Sequence, residues 1–264
     1  MAKKIIFKLI KASLSALATW HRSAIPTIVS ALNHIEGKGS GTADVSNEVK
    51  CIFNILNSFG FERPLILDIG ANRGDYTEEL LKYFPKSEIY LFEPSSELNL
   101  ELDIRFAANK NIFICPIAMA DKNSIRTLWS DKFGSTLGSL TQRDLDHAGL
   151  LFDKSEVITA MTLDSWTKEN NICPDFIKID VEGHELDVIQ GGKEIMKEVK
   201  VVQFEFGGCN IDTRTYFKDF WKFFHSNNFA LFRIAKDRAI EIKKYEESLE
   251  YFYTTNYVAI KGPK

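Results

Sequence analysis

The stretch LILDIGANRG, residues 65–74, gives the clearest indication of the fold in this sequence. Its first half is apolar apart from Asp68, as expected of a strand that is buried on both faces of a sheet. Gly70 and Gly74 allow sharp turns of the backbone, and the polar residues that follow open a helix near Asp75. A strand, a glycine-containing loop and a helix N-terminus, in this order, form a cradle for part of a nucleotide-like ligand.

Strand and helix signals alternate along most of the remaining chain. Helices are predicted over residues 44–59, 76–83, 98–108, 184–190 and 216–226, and strands over residues 65–69, 89–92, 112–117, 176–179, 199–206, 229–234 and 257–260. Alternation of this kind is typical of a parallel sheet with helices on both faces. The expected fold class is α/β, a doubly wound Rossmann-like sheet that is mostly parallel with an antiparallel C-terminal hairpin. The aromatic residues of 216–224 have helical spacing and are predicted to lie in the core or a subunit interface.

Length, charge and cysteine usage exclude several classes of protein. A chain of 264 residues that is 45% hydrophobic can bury a full core, and a formal net charge of −3 argues against nucleic acid as a partner. The cysteines form no Cys-x-x-Cys pair, which argues against a zinc site and a secreted disulfide framework. No apolar run is long enough to span a membrane, and no secretory signal is recognised. We therefore expect a cytoplasmic protein.

Residues 1–43 differ in character from residues 44–264, which form the main predicted domain. At helical spacing, one face carries Lys4, Lys8, Lys11, Ser15, Thr19 and Arg22, and the opposite face carries Ile6, Leu9, Ile10, Leu14, Leu17 and Trp20. This pattern predicts an amphipathic basic helix, followed by a flexible glycine-rich link over residues 37–42. The preferred interpretation is that the helix packs on the main domain or on a second subunit of a homo-oligomer. The alternative is peripheral contact of residues 3–22 with the inner face of an anionic membrane.

The segment 121–166 interrupts the alternation with short Ser- and Thr-rich runs and several glycines. It predicts a β-hairpin inserted into the main domain, with a mobile loop of the kind that carries specificity. Its hydroxyl-rich part, STLGSLTQR over residues 135–143, either binds a glycan or is a plain polar loop. On the first interpretation, Ser135 and Thr136 are candidate substrate contacts.

The glycine loop favours one nucleoside cofactor over others. Its pattern Asp-x-Gly-x-x-x-Gly departs from the dinucleotide fingerprint and lacks the ending of a phosphate-binding P-loop. An acid at Asp68 repels a pyrophosphate but suits the ammonium of an amino-acid moiety, which favours S-adenosylmethionine over NAD. The predicted cofactor contacts on this loop and the helix after it are Asp68, Gly70, Asn72, Gly74, Tyr76 and Thr77.

The ends of the next two strands complete the predicted cofactor site. Glu93 follows the apolar run 89–92 and precedes Pro94, and a carboxylate at that strand end can accept hydrogen bonds from both ribose hydroxyls. We assign both residues to the cofactor site. One strand later, CPIAMAD over residues 115–121 offers small apolar side chains to an adenine ring, with Ala118 as the candidate contact.

Four motifs together resemble one known family. DIGANRG over residues 68–74, FEP over 92–94, TLD over 162–164 and FIKIDVEGHE over 176–185 are similar to the FkbM family of methyltransferases. The resemblance spans residues 62–206 and leaves residues 1–60 uncovered. It implies a class I methyltransferase fold, S-adenosylmethionine as cofactor, and methyl transfer to oxygen, commonly a hydroxyl of a sugar or of a polyketide product.

The catalytic candidates follow two other predicted strands. Asp180, Glu182 and His184 come after residues 176–179, and Glu205 ends the strand 199–206. Transfer to a hydroxyl needs an aligned oxygen and a base that accepts its proton. His184 is the preferred base because histidine titrates near neutrality, with Asp180 left as the other candidate. Asp180 and Glu205 are otherwise interpreted as positioning groups, Asp180 also as a cofactor contact and Glu182 as a substrate contact.

The expected function is S-adenosylmethionine-dependent O-methylation of a sugar hydroxyl in a saccharide, glycolipid or glycosylated metabolite. The alternatives are O- or N-methylation of a non-sugar small molecule, or a catalytically silent binding module in a glycan-modifying complex. A carboxylate cluster can also hold Mg²⁺, but with a single histidine near the acids we predict no obligatory metal.

Overall fold

The computed structural model describes residues 2–20, 24–39, 45–236 and 238–262. Its helices are α1 (Ala2–Trp20), α2 (Ala24–Ile35), α3 (Val45–Ser58), α4 (Asp75–Tyr83), α5 (Ser96–Phe106), α6 (Leu163–Asn170), α7 (Glu185–Gly191), α8 (Cys209–Thr213) and α9 (Phe217–Ser226). Its strands are β1 (Ile66–Ile69), β2 (Ile89–Phe92), β3 (Ile112–Cys115), β4 (Ala118–Met119), β5 (Ser124–Ser130), β6 (Lys154–Met161), β7 (Phe176–Ile179), β8 (Val201–Phe206), β9 (Phe229–Ile234), β10 (Ala239–Ile242) and β11 (Thr255–Lys261).

The main sheet confirms the predicted α/β class. Its strand order is β10-β9-β11-β8-β7-β1-β2-β3. The five strands from β8 to β3 run parallel, whereas β11 is antiparallel to both β8 and β9. The carboxyl ends of β1, β2, β3, β7 and β8 therefore meet at one side of the sheet, called here the carboxyl edge. Because β8 and β9 are both antiparallel to β11, the C-terminal end of β9 lies at this edge too.

Two apolar layers cover the sheet. Strands β1 and β7 are buried throughout, which explains why their sequences are nearly all apolar. On one face, Phe217, Phe220 and Phe224 of α9 are fully buried and join the core, as their helical spacing predicts. On the other face, residues of α3, α4 and α5 form the second core cluster, with Leu56 and Leu80 among them. The packed sheet holds the loops at the carboxyl edge in fixed positions.

The inserted segment contains the predicted hairpin. β5 and β6 pair antiparallel over their whole lengths, and β4 adds a third strand to this second, smaller sheet. The sequence did not indicate β4, which has only two residues, or β10, whose pairing with β9 forms the sheet's far margin. Both depend on a partner strand more than on their own sequence pattern.

The N-terminal helix was predicted and α2 was not recognised as a separate helix. His21, Arg22 and residues 40–44, which include part of the predicted flexible link, lie outside the described residues. Gly37, at the start of that link, is packed: its φ is +73°, and a Cβ there would lie 2.3 Å from the carbonyl oxygen of Ile234. No helix among the described residues is long and apolar enough to cross a membrane.

Candidate functional site

A cleft opens at the carboxyl edge, between the ends of the parallel strands and the inserted segment. Nine of the residues predicted for the site line it: Gly70, Asn72, Glu93, Pro94, Ala118, Ser135, Thr136, Asp180 and Glu182. Apolar side chains of Phe92, Ile117 and Met119 form part of its wall. The cleft thus combines a polar rim with an apolar wall, as ligand pockets usually do.

The glycine loop after β1 is held close to the neighbouring strands. The N–H groups of Gly70 and Ala71 both donate to the carbonyl of Phe92, at 2.9 and 3.0 Å. Gly70 has a φ of +77°, and a Cβ there would lie only 1.8 Å from the carbonyl oxygen of Asp180. Only glycine fits this position, because any side chain would collide with the backbone of Asp180 within the FIKIDVEGHE motif.

Glu93 is the buried acid of the cleft. It is 6% exposed and accepts hydrogen bonds from the backbone N–H groups of Asn72 at 3.0 Å and Ser95 at 2.9 Å. Burial raises the pKa of its carboxyl to about 7. Each carboxylate oxygen has a further acceptor site, so the pair can receive two hydroxyl donors from a ribose.

Ser95 is a site residue that the sequence reasoning missed. It is 4% exposed and lines the cleft, and its Oγ has no hydrogen-bond partner among the described residues. It occupies the N-cap position of α5 without a side-chain capping bond. A serine before a helix usually caps it, so its position in the sequence gave no signal of a ligand contact. A buried, unpartnered hydroxyl beside Glu93 and an apolar wall fits a bound adenosine moiety.

Asp68 does not line the cleft. It is fully buried, its Oδ2 accepts from the Thr77 hydroxyl at 2.7 Å, and its Oδ1 lies 3.3 Å from the Lys178 Nζ. Lys178 also donates to the carbonyl of Gly70 at 2.8 Å and lies 3.4 Å from Asp180 Oδ2. The ammonium partner predicted for Asp68 therefore comes from the protein itself, through a lysine that the sequence reasoning did not single out.

Lys178 is a buried cation between two acids. Burial lowers the pKa of its ammonium, but the carboxylates of Asp68 and Asp180 outweigh burial and raise the pKa above its ordinary value. The side chain stays charged and joins the glycine loop to the end of β7. It is thus a candidate positioning residue for both halves of the cleft.

The predicted contacts at the start of α4 also lie outside the cleft. The Tyr76 hydroxyl donates to Gln203 Oε1 at 2.6 Å, and Thr77 is buried against Asp68. Gly74 has a φ of +83°, and a Cβ there would lie 2.5 Å from the Phe106 ring. Because the first turn of α4 packs inward, these residues support the glycine loop rather than face the cleft.

Several acids gather where β7 and β8 end. Asp180 lines the cleft with 37% of its side-chain surface exposed. Burial, and after it the charge of Asp180, raises the pKa of Glu182 to about 7 and that of Glu205 well above its ordinary value. Glu182 has a φ of +55°, a strained conformation for a non-glycine residue and one that is common at functional sites. Glu205 lies close to this group but is not among the residues that line the cleft.

His184 is not among the described residues that line the cleft. Its Nδ1 lies 2.7 Å from Asp187 Oδ2 and its Nε2 lies 2.9 Å from the Thr141 hydroxyl of the inserted segment. Both ring nitrogens are therefore engaged, and the structure does not bring this predicted base together with the cleft. Glu185, at the start of α7, accepts from the backbone N–H groups of Val181 and Gly183, each at 3.0 Å, and so holds the loop between β7 and α7.

Residues 134–143 of the inserted segment lie across the cleft and are called here the lid segment. Its Thr136 carbonyl accepts from Asn72 Nδ2 at 3.1 Å, and its Ser139 hydroxyl donates to the carbonyl of Glu182 at 2.8 Å. Arg143 donates to Glu182 Oε2 at 2.9 Å. The lid segment thus contacts both the glycine loop and the acidic group.

The family comparison agrees with this geometry. The model of the methyltransferase FkbM domain matches residues 68–231. This chain belongs to the FkbM methyltransferase family. The matched domain is a methyltransferase domain, and the cofactor of this family is S-adenosylmethionine. A curated relative, the 2-O-methyltransferase NoeI of Sinorhizobium fredii, is 26% identical over 158 residues, which cover 54% of this chain and 63% of that protein. The chain thus matches less than two thirds of that relative's length.

Solved methyltransferase structures also align with this FkbM methyltransferase. A precorrin-6y C5,15-methyltransferase from Geobacter metallireducens is 13% identical, with 81% of this chain and 88% of that chain covered and a TM-score of 0.42. The methyltransferase domain of a bacterial CtHen1-C is 11% identical, with 83% and 100% covered and a TM-score of 0.45. Among the described residues, no group of three or more histidine, cysteine, aspartate or glutamate side chains is arranged to hold a metal ion.

We expect the affinity of this FkbM methyltransferase for S-adenosylmethionine to fall as the pH drops through about 7, where the Glu93 carboxyl titrates. The raised pKa means that Glu93 is neutral below this pH, and a neutral carboxyl is a weaker acceptor for ribose hydroxyls. If the ionised form alone binds well, calorimetry should show about tenfold weaker binding near pH 6 than near pH 8.

The matched control for this titration is Glu93→Gln, which cannot ionise. It should bind S-adenosylmethionine more weakly at every pH and lose the dependence. A variant that keeps the same pH profile would assign the titration to another group, such as Glu182, whose pKa is also about 7.

Proposed function

We propose that this enzyme methylates a sugar hydroxyl, with the acceptor held between the lid segment and the acids at the ends of β7 and β8. The observation that carries the proposal is an acidic group in which Asp180 and Glu182 line the cleft and Glu205 lies close to them. Carboxylates there can orient a hydroxyl by accepting its hydrogen bond and can take up its proton. An uncharged hydroxyl is a weak nucleophile, so transfer to oxygen requires such a group.

The cofactor half of the proposed site is built around Glu93. Its carboxylate and the Ser95 hydroxyl are assigned to the nucleoside, and the apolar wall with Ala118 to the adenine. When bound, S-adenosylmethionine supplies an electrophilic methyl group on a sulfonium. The residues of this half bind and orient, and they take no part in proton transfer.

We assign the proton acceptor to Asp180 in place of His184. Asp180 lines the cleft, and its Oδ2 lies 3.4 Å from the ammonium of Lys178. The charge of Asp180 raises the pKa of Glu182 and Glu205. These neighbouring carboxylates can therefore hold the proton that Asp180 takes from the acceptor hydroxyl. His184 is assigned to the lid segment, which it contacts through Thr141.

Support for a sugar acceptor comes from the lid segment and from the relative. Thr136 and Glu182 line the cleft there, and hydroxyl and carboxylate groups suit the dense hydroxyls of a sugar. Ser135 also lines the cleft, but its hydroxyl donates to Asp131 and accepts from the Leu137 N–H, so it supports the lid segment. The relative from Sinorhizobium fredii is named a 2-O-methyltransferase.

We also place this reaction in the cytoplasm. All four cysteines are free thiols, as expected in a reducing compartment.

The test is transfer of a labelled methyl group to a panel of methyl glycosides, aliphatic alcohols and primary amines. We expect label in base-stable ethers of one or more glycosides, at rates well above those with the simple alcohols and amines. The reaction should also survive exhaustive chelation. Label confined to amines, or to non-sugar alcohols, would replace sugar O-methylation with the corresponding alternative.

A further inference from the structure

The two N-terminal helices carry an unusual amount of exposed apolar surface. Among the described residues, the exposed large hydrophobic side chains of α1 and α2 are Ile5, Ile6, Phe7, Leu9, Ile10, Ile25, Val29, Leu32 and Ile35. Those of α1 are 53–68% exposed. Clustered apolar exposure of this kind marks an interaction surface, whereas single exposed residues do not.

Charge separates this segment from the rest of the chain. Residues 1–35 contain five lysines and arginines and no aspartate or glutamate, whereas the remaining residues contain 28 basic and 36 acidic side chains. Lys4, Lys8 and Lys11 are exposed and lie along one face of α1 at helical spacing, opposite Ile6 and Ile10. A short basic amphipathic helix with an open apolar face suits the plane of an anionic membrane surface.

A second basic feature adjoins α2. A hollow between α2, α3 and the β9–β10 connection is lined by His34, Lys50, Lys236 and Arg238, and none of its described lining residues is acidic. Ile35 and Ile55 form part of the same wall. Basic and apolar side chains thus lie together here, as they do on α1. The combination of positive charge and apolar surface is therefore present on more than one helix.

The attachment of α2 places its C-terminal end at the carboxyl edge. The Glu36 carbonyl accepts from Arg233 Nε at 2.6 Å, near the end of β9, and Asn33 Nδ2 donates to the Tyr251 hydroxyl at 2.6 Å. The Gly39 N–H donates to the Thr255 hydroxyl at 2.9 Å, and Thr255 pairs with Phe206 at the end of β8. The cleft and the root of the helices therefore share one edge of the sheet.

We propose that α1 and α2 dock this enzyme in the plane of an anionic membrane, with the apolar side chains in the interface and the lysines at the headgroups. A lipid surface satisfies both features at once, because it offers apolar and negatively charged groups over the length of a helix. A second copy of α1 would cover the apolar face but would leave the lysines on the opposite face without an anionic partner. Since the helices are rooted at the carboxyl edge, docking would hold the cleft near the bilayer surface.

The test uses the full chain and sedimentation with vesicles of phosphatidylcholine alone or with about 30% phosphatidylglycerol. We expect binding to the anionic vesicles, weakened by high salt, and little binding to the neutral ones. Lys4→Glu/Lys8→Glu/Lys11→Glu should reduce binding to anionic vesicles at least about tenfold. Ile6→Ser/Ile10→Ser should also reduce it, with no recovery at low salt, because it removes the apolar contribution.

The matched control carries the same charge change at the opposite edge of the sheet. Lys86, Lys110 and Lys168 are exposed and lie near the N-terminal ends of β2, β3 and β7. Lys86→Glu/Lys110→Glu/Lys168→Glu should bind vesicles nearly as the parent does, and unchanged S-adenosylmethionine affinity verifies folding of every variant. The proposal would be overturned if the parent protein bound no vesicles, or if the control variant lost as much binding as the α1 variant. It would also be overturned if light scattering showed a dimer that dissociates in the α1 variants while no form of the protein binds vesicles.

Discussion

Asp180→Asn is expected to lower kcat by at least about a hundredfold, the range found when a positioned general base is removed. Asparagine keeps the shape of the side chain in the cleft but cannot take up a proton. Affinity for S-adenosylmethionine should change by less than about tenfold, because Glu93 and the apolar wall are untouched. Single-turnover kinetics and calorimetry on the same preparation measure the two quantities.

The matched variant is His184→Gln, which removes the other candidate base. Because His184 contacts Thr141 and Asp187 outside the cleft, its loss should act through the lid segment, mainly on KM for the acceptor. The opposite ranking, with a larger kcat loss in His184→Gln, would return the base to histidine. A changed slope of log kcat against pH in one variant alone would identify which group titrates.

Lys178→Met should lower the free energy of unfolding by about 3–5 kcal/mol, because it leaves an acid buried without its cation. Asp68 is fully buried and Lys178 lies 3.3 Å from it. Methionine has a similar length, so the loss of packing is small. Chemical denaturation with a two-state fit measures the change, and S-adenosylmethionine affinity should fall with it because Lys178 also holds the Gly70 carbonyl.

The double variant Lys178→Met/Asp68→Asn separates charge from packing. It removes both members of the ion pair, so it should be more stable than Lys178→Met alone. A double variant no more stable than the single one would mean that the ion pair is not the source of the loss. The same comparison with Asp180→Asn tests the second acid, which is partly exposed and should give a smaller rescue.

Most of the sheet could be predicted because its signals are local. β2, β7 and β9 begin and end where the apolar runs and the residues after them indicate. The glycine loop was located for the same reason, since the backbone at Gly70 excludes any side chain. The sequence did not predict β4, β10 or α2. Such short or exposed elements depend on the segments that they contact, and their own residues carry only a weak pattern.

In this protein, the α/β fold, the family and the edge of the sheet at which the cleft opens all follow from local signals in the sequence. Strand ends carry their polar residues to a common edge whatever the details of packing, so Glu93 and Asp180 could be found from position alone. The tertiary structure decided which side chains face the cleft. Asp68 pairs with Lys178 in the register of β1 and β7, and its Oδ1 lies 3.3 Å from the ammonium of this distant residue. Side-chain direction of this kind depends on neighbouring strands, which only the folded chain brings together.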